Sequence, residues 1–255
     1  MKSTIALLIM ALSAVPETMA VESPGQRETL RPSSQSITGA SLFTALIEHN
    51  RARSKRLHDF SVRRTYIVKN DENKPRAESE VFLSYQAPDH KEFNIISERG
   101  SGLVRKRVFK ALLESEVETA AGTSKRDSSI TPENYTFEFI GEEDVDGFHT
   151  FVAQVAPKRI DKYLFKGKLW IESKEFAIVR IEGQPAKNPS FWIKKVNFVR
   201  RYQRIDDFWL PLKDETVTEV RLLGTNIFTI DHDSYEINRR STPVSETALM
   251  ARPVK

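Results

Sequence analysis

The chain has 255 residues, a formal net charge of +4, no cysteine, 39% hydrophobic residues and 29% charged ones. This is enough apolar material for one large domain or two small ones, and it excludes a disordered or fibrous chain. Without cysteine there are no disulfides, thiolate metal sites or lipid-modified cysteine, so the fold must be held by a sizeable core. Bases and acids interleave along the whole chain, which argues against the concentrated basic face or arm of a nucleic-acid binder.

The first twenty residues read as a secretory signal. Lys2 supplies the positive start, Ile5 to Leu12 is a short apolar run, and Thr18-Met19-Ala20 ends in small residues suited to cleavage. The run is too short to span a bilayer, so export to the periplasm as a soluble protein is expected. Residues 21–37, rich in Pro, Ser, Gly and charge, read as a disordered leader. One domain over 38–238 and a flexible tail over 239–255 complete the expected organisation.

The domain opens with a predicted helix. Thr38 is a plausible N-cap, Leu42, Phe43, Leu46 and Ile47 recur at helical spacing, and Arg51, Arg53, Lys55 and Arg56 suit the negative C-terminal pole. Three extended segments follow, Ser61 to Lys69, Glu78 to Gln86 and Lys91 to Ser97, arranged as a meander. A second helix is predicted over about Leu103 to Thr119 from the apolar face of Val104, Val108, Phe109, Leu112, Leu113 and Val117. Its charges oppose its dipole, with Arg105, Lys106 and Arg107 at the start and Glu114, Glu116 and Glu118 at the end. Neighbouring strands are expected to neutralise them.

From Asn134 to Asn238 the pattern is extended throughout. Tyr135, Phe137 and Phe139 alternate with Thr136 and Glu138, and Asp146-Gly147 marks a hairpin. Lys162 to Glu172 and Phe176 to Gly183 each show one dry and one wet parity, with Lys174-Glu175 as the reversal between them. Phe191 to Arg204, the strand starting at Phe208 to Pro211, and a last hairpin around Gly224-Thr225-Asn226 bring the count to ten or eleven strands. The expected class is α+β, an incomplete antiparallel β-barrel closed by two main helices.

Catalytic signals are weak. His49, His58, His90, His149 and His232 are scattered, without a metal-spaced pair, a nucleophile elbow or a phosphate-cradling loop. Alternation places His232 on the opposite face from Asp231 and Asp233, so the three do not converge on a metal. Glu142, Glu143, Asp144 and Asp146 read as a hairpin tip rather than a calcium loop. No catalytic residue, metal or cofactor is expected. What remains is an aromatic sheet able to wall an apolar cavity or its rim, and the candidate residues are Tyr66, Phe82, Phe93, Phe137, Trp170, Trp192, Phe198 and Trp209.

Three stretches carry a family resemblance: Tyr163 to Glu172 (YLFKGKLWIE), Phe176 to Ser190 (FAIVRIEGQPAKNPS) and Phe208 to Pro211 (FWLP). With the order of signal, opening helix, meander, covering helix and long antiparallel run, they make the chain resemble the LolA-like superfamily of outer-membrane lipoprotein-sorting proteins over about Ser41 to Asn238. The resemblance implies an apolar cavity for lipids or lipoprotein acyl chains, an inner-membrane donor and an outer-membrane acceptor. The alternative it leaves open is a non-transporting envelope sensor that recognises lipidated proteins.

Overall fold

The computed structural model describes residues 37–121, 128–161, 163–188, 190–221 and 224–239. The expected signal and nearly all of the leader and of the tail lie outside them. Among the described residues, ten strands form one antiparallel sheet: β1 Asp59–Asn70, β2 Pro75–Gln86, β3 His90–Gly100, β4 Tyr135–Val145, β5 Phe148–Pro157, β6 Phe165–Glu172, β7 Ile178–Pro185, β8 Ile193–Ile205, β9 Phe208–Val220 and β10 Gly224–Ile237. Their order is β3-β2-β1-β10-β9-β8-β7-β6-β5-β4. Eight of the nine neighbour pairs follow from the chain path, and the pairing of β1 with β10 joins the two ends of the domain. The sheet is open, with β3 and β4 as its free edges.

The turns have the local chemistry that the sequence requires. Asp146 and Gly147 both take positive φ, 53° and 84°, as a two-residue hairpin turn needs. Asp206 at the β8–β9 turn and Phe176 near the β6–β7 reversal also lie in the left-handed region.

Two helical regions cover one face of the sheet, here termed the inner face. The first, α1, spans Gly39–Arg56 and begins in a reciprocal box in which the Thr38 hydroxyl accepts from the Ser41 N–H and the Ser41 hydroxyl accepts from the Thr38 N–H. Its basic end does more than match a dipole. The Arg53 guanidinium donates to the carbonyls of Glu175 (2.7 Å) and Phe176 (3.2 Å), tying the helix to the β6–β7 reversal. The second region runs through α2 (Gly102–Val104), a π-helical stretch (Arg105–Lys110) and α3 (Ala111–Ala120). It spans the single predicted helix almost to the residue, with a wider turn than the spacing implied.

Each helical region closes an apolar lobe. In the larger, Leu42, Phe43 and Leu46 of α1 pack on Tyr135, Ala153, Val155, Phe165, Leu169, Ile181 and Phe198 of β4 to β8, and Phe43 stacks on Phe137 at 3.7 Å between centroids. In the smaller, Phe109, Leu112 and Leu113 pack on Tyr66, Val68, Val81, Phe228 and Ile230 of β1, β2 and β10. A third patch of Leu57, Phe208 and Leu210 lies at the end where α1 finishes.

Candidate functional site

The two lobes do not merge on the inner face. A belt of buried charged and hydroxylated side chains runs between them. Arg64 shares the inward parity of Val62, Tyr66 and Val68 on β1, so alternation carries its guanidinium into the interior. There Arg64 Nη1 donates to Glu116 Oε2 of α3 at 2.9 Å, and Lys91 Nζ of β3 donates to Glu116 Oε1 at 2.8 Å. All three side chains are at most 9% exposed. Burial alone would raise the Glu116 carboxyl, but Arg64 and Lys91 hold it far below the usual carboxylate range.

On the other side of β1, Arg64 lies in register with His232 of β10. His232 Nε2 meets Asp214 Oδ2 of β9 at 3.0 Å, and Asp214 accepts from Arg200 Nε of β8 through its other oxygen. Burial pushes the imidazole down, and the neighbouring Arg64 cation pushes it further, against the opposing pull of Asp214. Burial would likewise raise Asp214, but Arg200 and His232 hold it at about 2. Tyr235 closes the belt, its hydroxyl 3.3 Å from His232 Nδ1 and donating to the Pro211 carbonyl at 2.9 Å. Tyr66, wholly buried beside Arg64, is pushed up to about 12 by burial.

Within the belt, Arg64 and Lys91 are set against Glu116, and Arg200 against Asp214. Arg64 Nε is buried and has no hydrogen-bond partner among the described residues. An inward-facing, incompletely satisfied guanidinium between two apolar lobes can accept an anionic group at modest desolvation cost.

The residues picked out by sequence divide by face. Tyr66, Phe93, Phe137 and Phe198 lie on the inner face, in or against the two lobes. Phe82, Trp170 and Trp209 have the opposite parity and stand on the outer face. Trp170 packs with Val145 and Val152 under Arg180, and its indole N–H donates to Glu143 at 2.9 Å. Trp209 meets the edge of Phe148 and donates to Glu175 at 2.7 Å. Trp192 belongs to the β7–β8 loop and is 45% exposed. The inner four come together in two groups, and the outer three do not join them.

The belt itself escaped sequence reading. The available signal was a charge on a dry parity: Arg64 among Val62, Tyr66 and Val68, Arg200 beside Val196 and Phe198, and Glu116 on the helical face of Leu112 and Leu113. His232 does face away from Asp231 and Asp233, as alternation requires, and Asp231 pairs outside with Lys213 at 3.0 Å. Among the described residues, no group of three or more His, Asp or Glu side chains is placed to hold a metal. The acidic hairpin tip engages His149, whose ring lies 3.0 Å from Asp144 and 3.2 Å from Glu142.

The model of a family of unknown function, DUF5686, matches residues 68–235. No curated protein matches the chain. Similar solved structures include a DUF1329 family protein from Desulfovibrio piger, with a TM-score of 0.42, 12% identity and coverage of 78% of this chain and 93% of that one. A domain from Vibrio parahaemolyticus described as outer membrane lipoprotein-sorting has a TM-score of 0.38 at 13% identity, covering 80% and 95%. A LolA superfamily protein from Nitrosomonas europaea has a TM-score of 0.37 at 12% identity, covering 80% and 95%.

Proposed function

The chain belongs to the DUF5686 family, whose function is unknown, and we propose that its inner face binds the acyl chains of lipids or lipoproteins in the cell envelope, without bond making. The observation that carries this reading is the way the inner face is covered. Among the described residues no second sheet lies on it; each lobe is closed by a helix that meets the strands through a few large side chains, Leu42, Phe43 and Leu46 in one case and Phe109, Leu112 and Leu113 in the other.

Such a cover is exchangeable in energy. Three buried side chains of this size contribute about 1.5–3 kcal/mol each, and an acyl chain of some ten methylenes contributes about 0.8 kcal/mol apiece, so chain and helix compete for the same apolar strands on similar terms. The belt limits where the chain goes. Laying methylenes across Arg64, Glu116 and Asp214 would strip hydrogen bonds from buried charges, so the chain stays in one lobe and its anionic end faces the unsatisfied Arg64 Nε. A carrier then works by differential affinity, holding a partly buried chain and yielding it to a tighter acceptor.

Extraction of the protein purified from the envelope fraction, followed by mass spectrometry of the organic phase, tests the reading. Co-purifying acyl species near one per chain support it, and loss of these species to acceptor vesicles distinguishes a carrier from a sensor that only binds. A protein that emerges empty and leaves a fluorescent fatty acid unbound overturns it.

A further inference from the structure

Antiparallel alternation sends the β1–β2, β5–β6, β7–β8 and β9–β10 connections, together with the start of α2, to one end of the sheet. The register confirms it across the whole width: Ala77 pairs with Gly100, Asn70 with Asn226, Val220 with both Gly224 and Ile193, Phe165 with Pro185, and Tyr135 with Pro157. That end carries the three most exposed large apolar side chains of the described residues, Ile160 at 82%, Phe191 at 76% and Leu103 at 61%. Trp192 joins them at the edge of the Phe191 ring, and the backbone of this loop is pinned to β9 by the Arg221 N–H donating to the Trp192 carbonyl at 2.9 Å. Three separate loops thus lift apolar tips to one side, and the remaining exposed large apolar side chains are only 39–48% exposed.

The same loops are basic. Lys187 and Lys194 flank the Phe191–Trp192 pair in sequence, and the Arg221 guanidinium lies 5.1 Å above the Phe191 ring. Lys158 and Arg159 lead into Ile160, and Lys106 follows Leu103. Acids on these three loops are few; Asp161 lies near Arg159, Glu219 engages Lys194, and the adjoining β1–β2 turn holds Asp71 and Glu72. Protruding aromatic and aliphatic tips ringed by Lys and Arg match the interfacial layer of an anionic bilayer, where the rings sit at headgroup level and the cations meet lipid phosphates.

We propose that this end of the sheet docks the protein on an anionic lipid bilayer. The larger apolar lobe reaches the same end through Leu164 and Ile193, so docking places that lobe next to the membrane. The inference does not depend on acyl binding by the inner face. Its test reads vesicle association of the intact chain, which either proposal can fail while the other stands.

Co-sedimentation with vesicles of phosphatidylglycerol and phosphatidylethanolamine, against vesicles of phosphatidylcholine alone, gives the measurement. The expected result is binding to the anionic vesicles that weakens as salt rises, with a blue shift of tryptophan emission that is absent in Trp192→Phe. The double variant Phe191→Ser with Trp192→Ser is expected to lose about tenfold or more in vesicle affinity. It should keep the wild-type circular dichroism and melting temperature, because both rings belong to a surface loop outside the apolar lobes, Phe191 at 76% and Trp192 at 45% exposure. No binding to anionic vesicles at low salt, equal binding to neutral ones, or undiminished binding by a folded double variant overturns the proposal. Failure to bind vesicles together with self-association that the double variant abolishes reassigns the patch to a second copy of the chain.

Discussion

Replacing Asp214 by Asn keeps the shape of the side chain and removes the one negative charge that joins Arg200 to His232. The Asp214, Arg200 and His232 side chains are 6%, 5% and 3% exposed, so solvent screens little of the effect. Asp214 titrates at about 2 against an ordinary 3.8. That gap corresponds to roughly 2 kcal/mol favouring the ionised form in the fold. Removing the charge opposite the buried Arg200 adds to this, and broken buried pairs cost about 3–5 kcal/mol. A loss of about 2–5 kcal/mol at pH 7 is therefore expected, a large share of the 5–15 kcal/mol typical of a domain. Urea unfolding at constant m-value reads it directly. Acid supplies a second reading. Because the folded-state value lies below the unfolded one, the stabilisation is complete above about pH 4 and fades as pH falls towards 2. Asp214→Asn should lose that part of the acid limb. A loss under about 1 kcal/mol at pH 7 would refute a cohesive belt. Adding Arg200→Met to Asp214→Leu should recover much of the loss, since an apolar pair needs no compensation.

Two further perturbations probe the belt and the larger lobe. His232 is held below its ordinary 6.5 in the fold, so as pH drops below that value the unfolded chain takes up the proton first and stability declines; melting temperatures between pH 8 and 5 should fall more for the wild type than for His232→Gln. Gly183 faces the larger lobe where a Cβ would lie 2.9 Å from Phe165 and 3.1 Å from Phe198, so Gly183→Val should cost about 1–3 kcal/mol in urea unfolding and should also reduce fatty-acid binding in that lobe.

Much of the architecture was legible because it rests on short-range rules. Strict alternation in Tyr135 to Phe139 and in Lys162 to Glu172 marks strands whatever surrounds them, and Asp146-Gly147 can reverse the chain with both residues at positive φ. The Thr38 cap and the two helical faces have the same local origin. The reversed charges of the second helical region were readable as an unresolved demand for partners, and Arg64 and Lys91 meet it at Glu116.

The candidate site was less legible. Aromatic residues were chosen by type and strand membership, yet Phe82 and Phe93 sit on opposite faces of neighbouring strands. Trp170 and Leu169, adjacent in sequence, likewise point to opposite sides of the sheet. Parity separates two faces without saying which one the helices will cover. That choice is made when α1 and α3 dock.

By itself, then, the order of residues determined the extended segments, their turns, the helix limits and the wet and dry parities, since each depends on neighbours a few positions away. The tertiary structure alone decided that β1 closes against β10, more than 150 positions downstream, and that Arg64, Glu116, Asp214, Arg200 and His232 converge from five elements into one buried belt. The pairing of β1 with β10 sets His232 across from Arg64, and no local signal in either strand specifies the other. Buried charges find their partners only when the sheet is assembled and water has left its inner face.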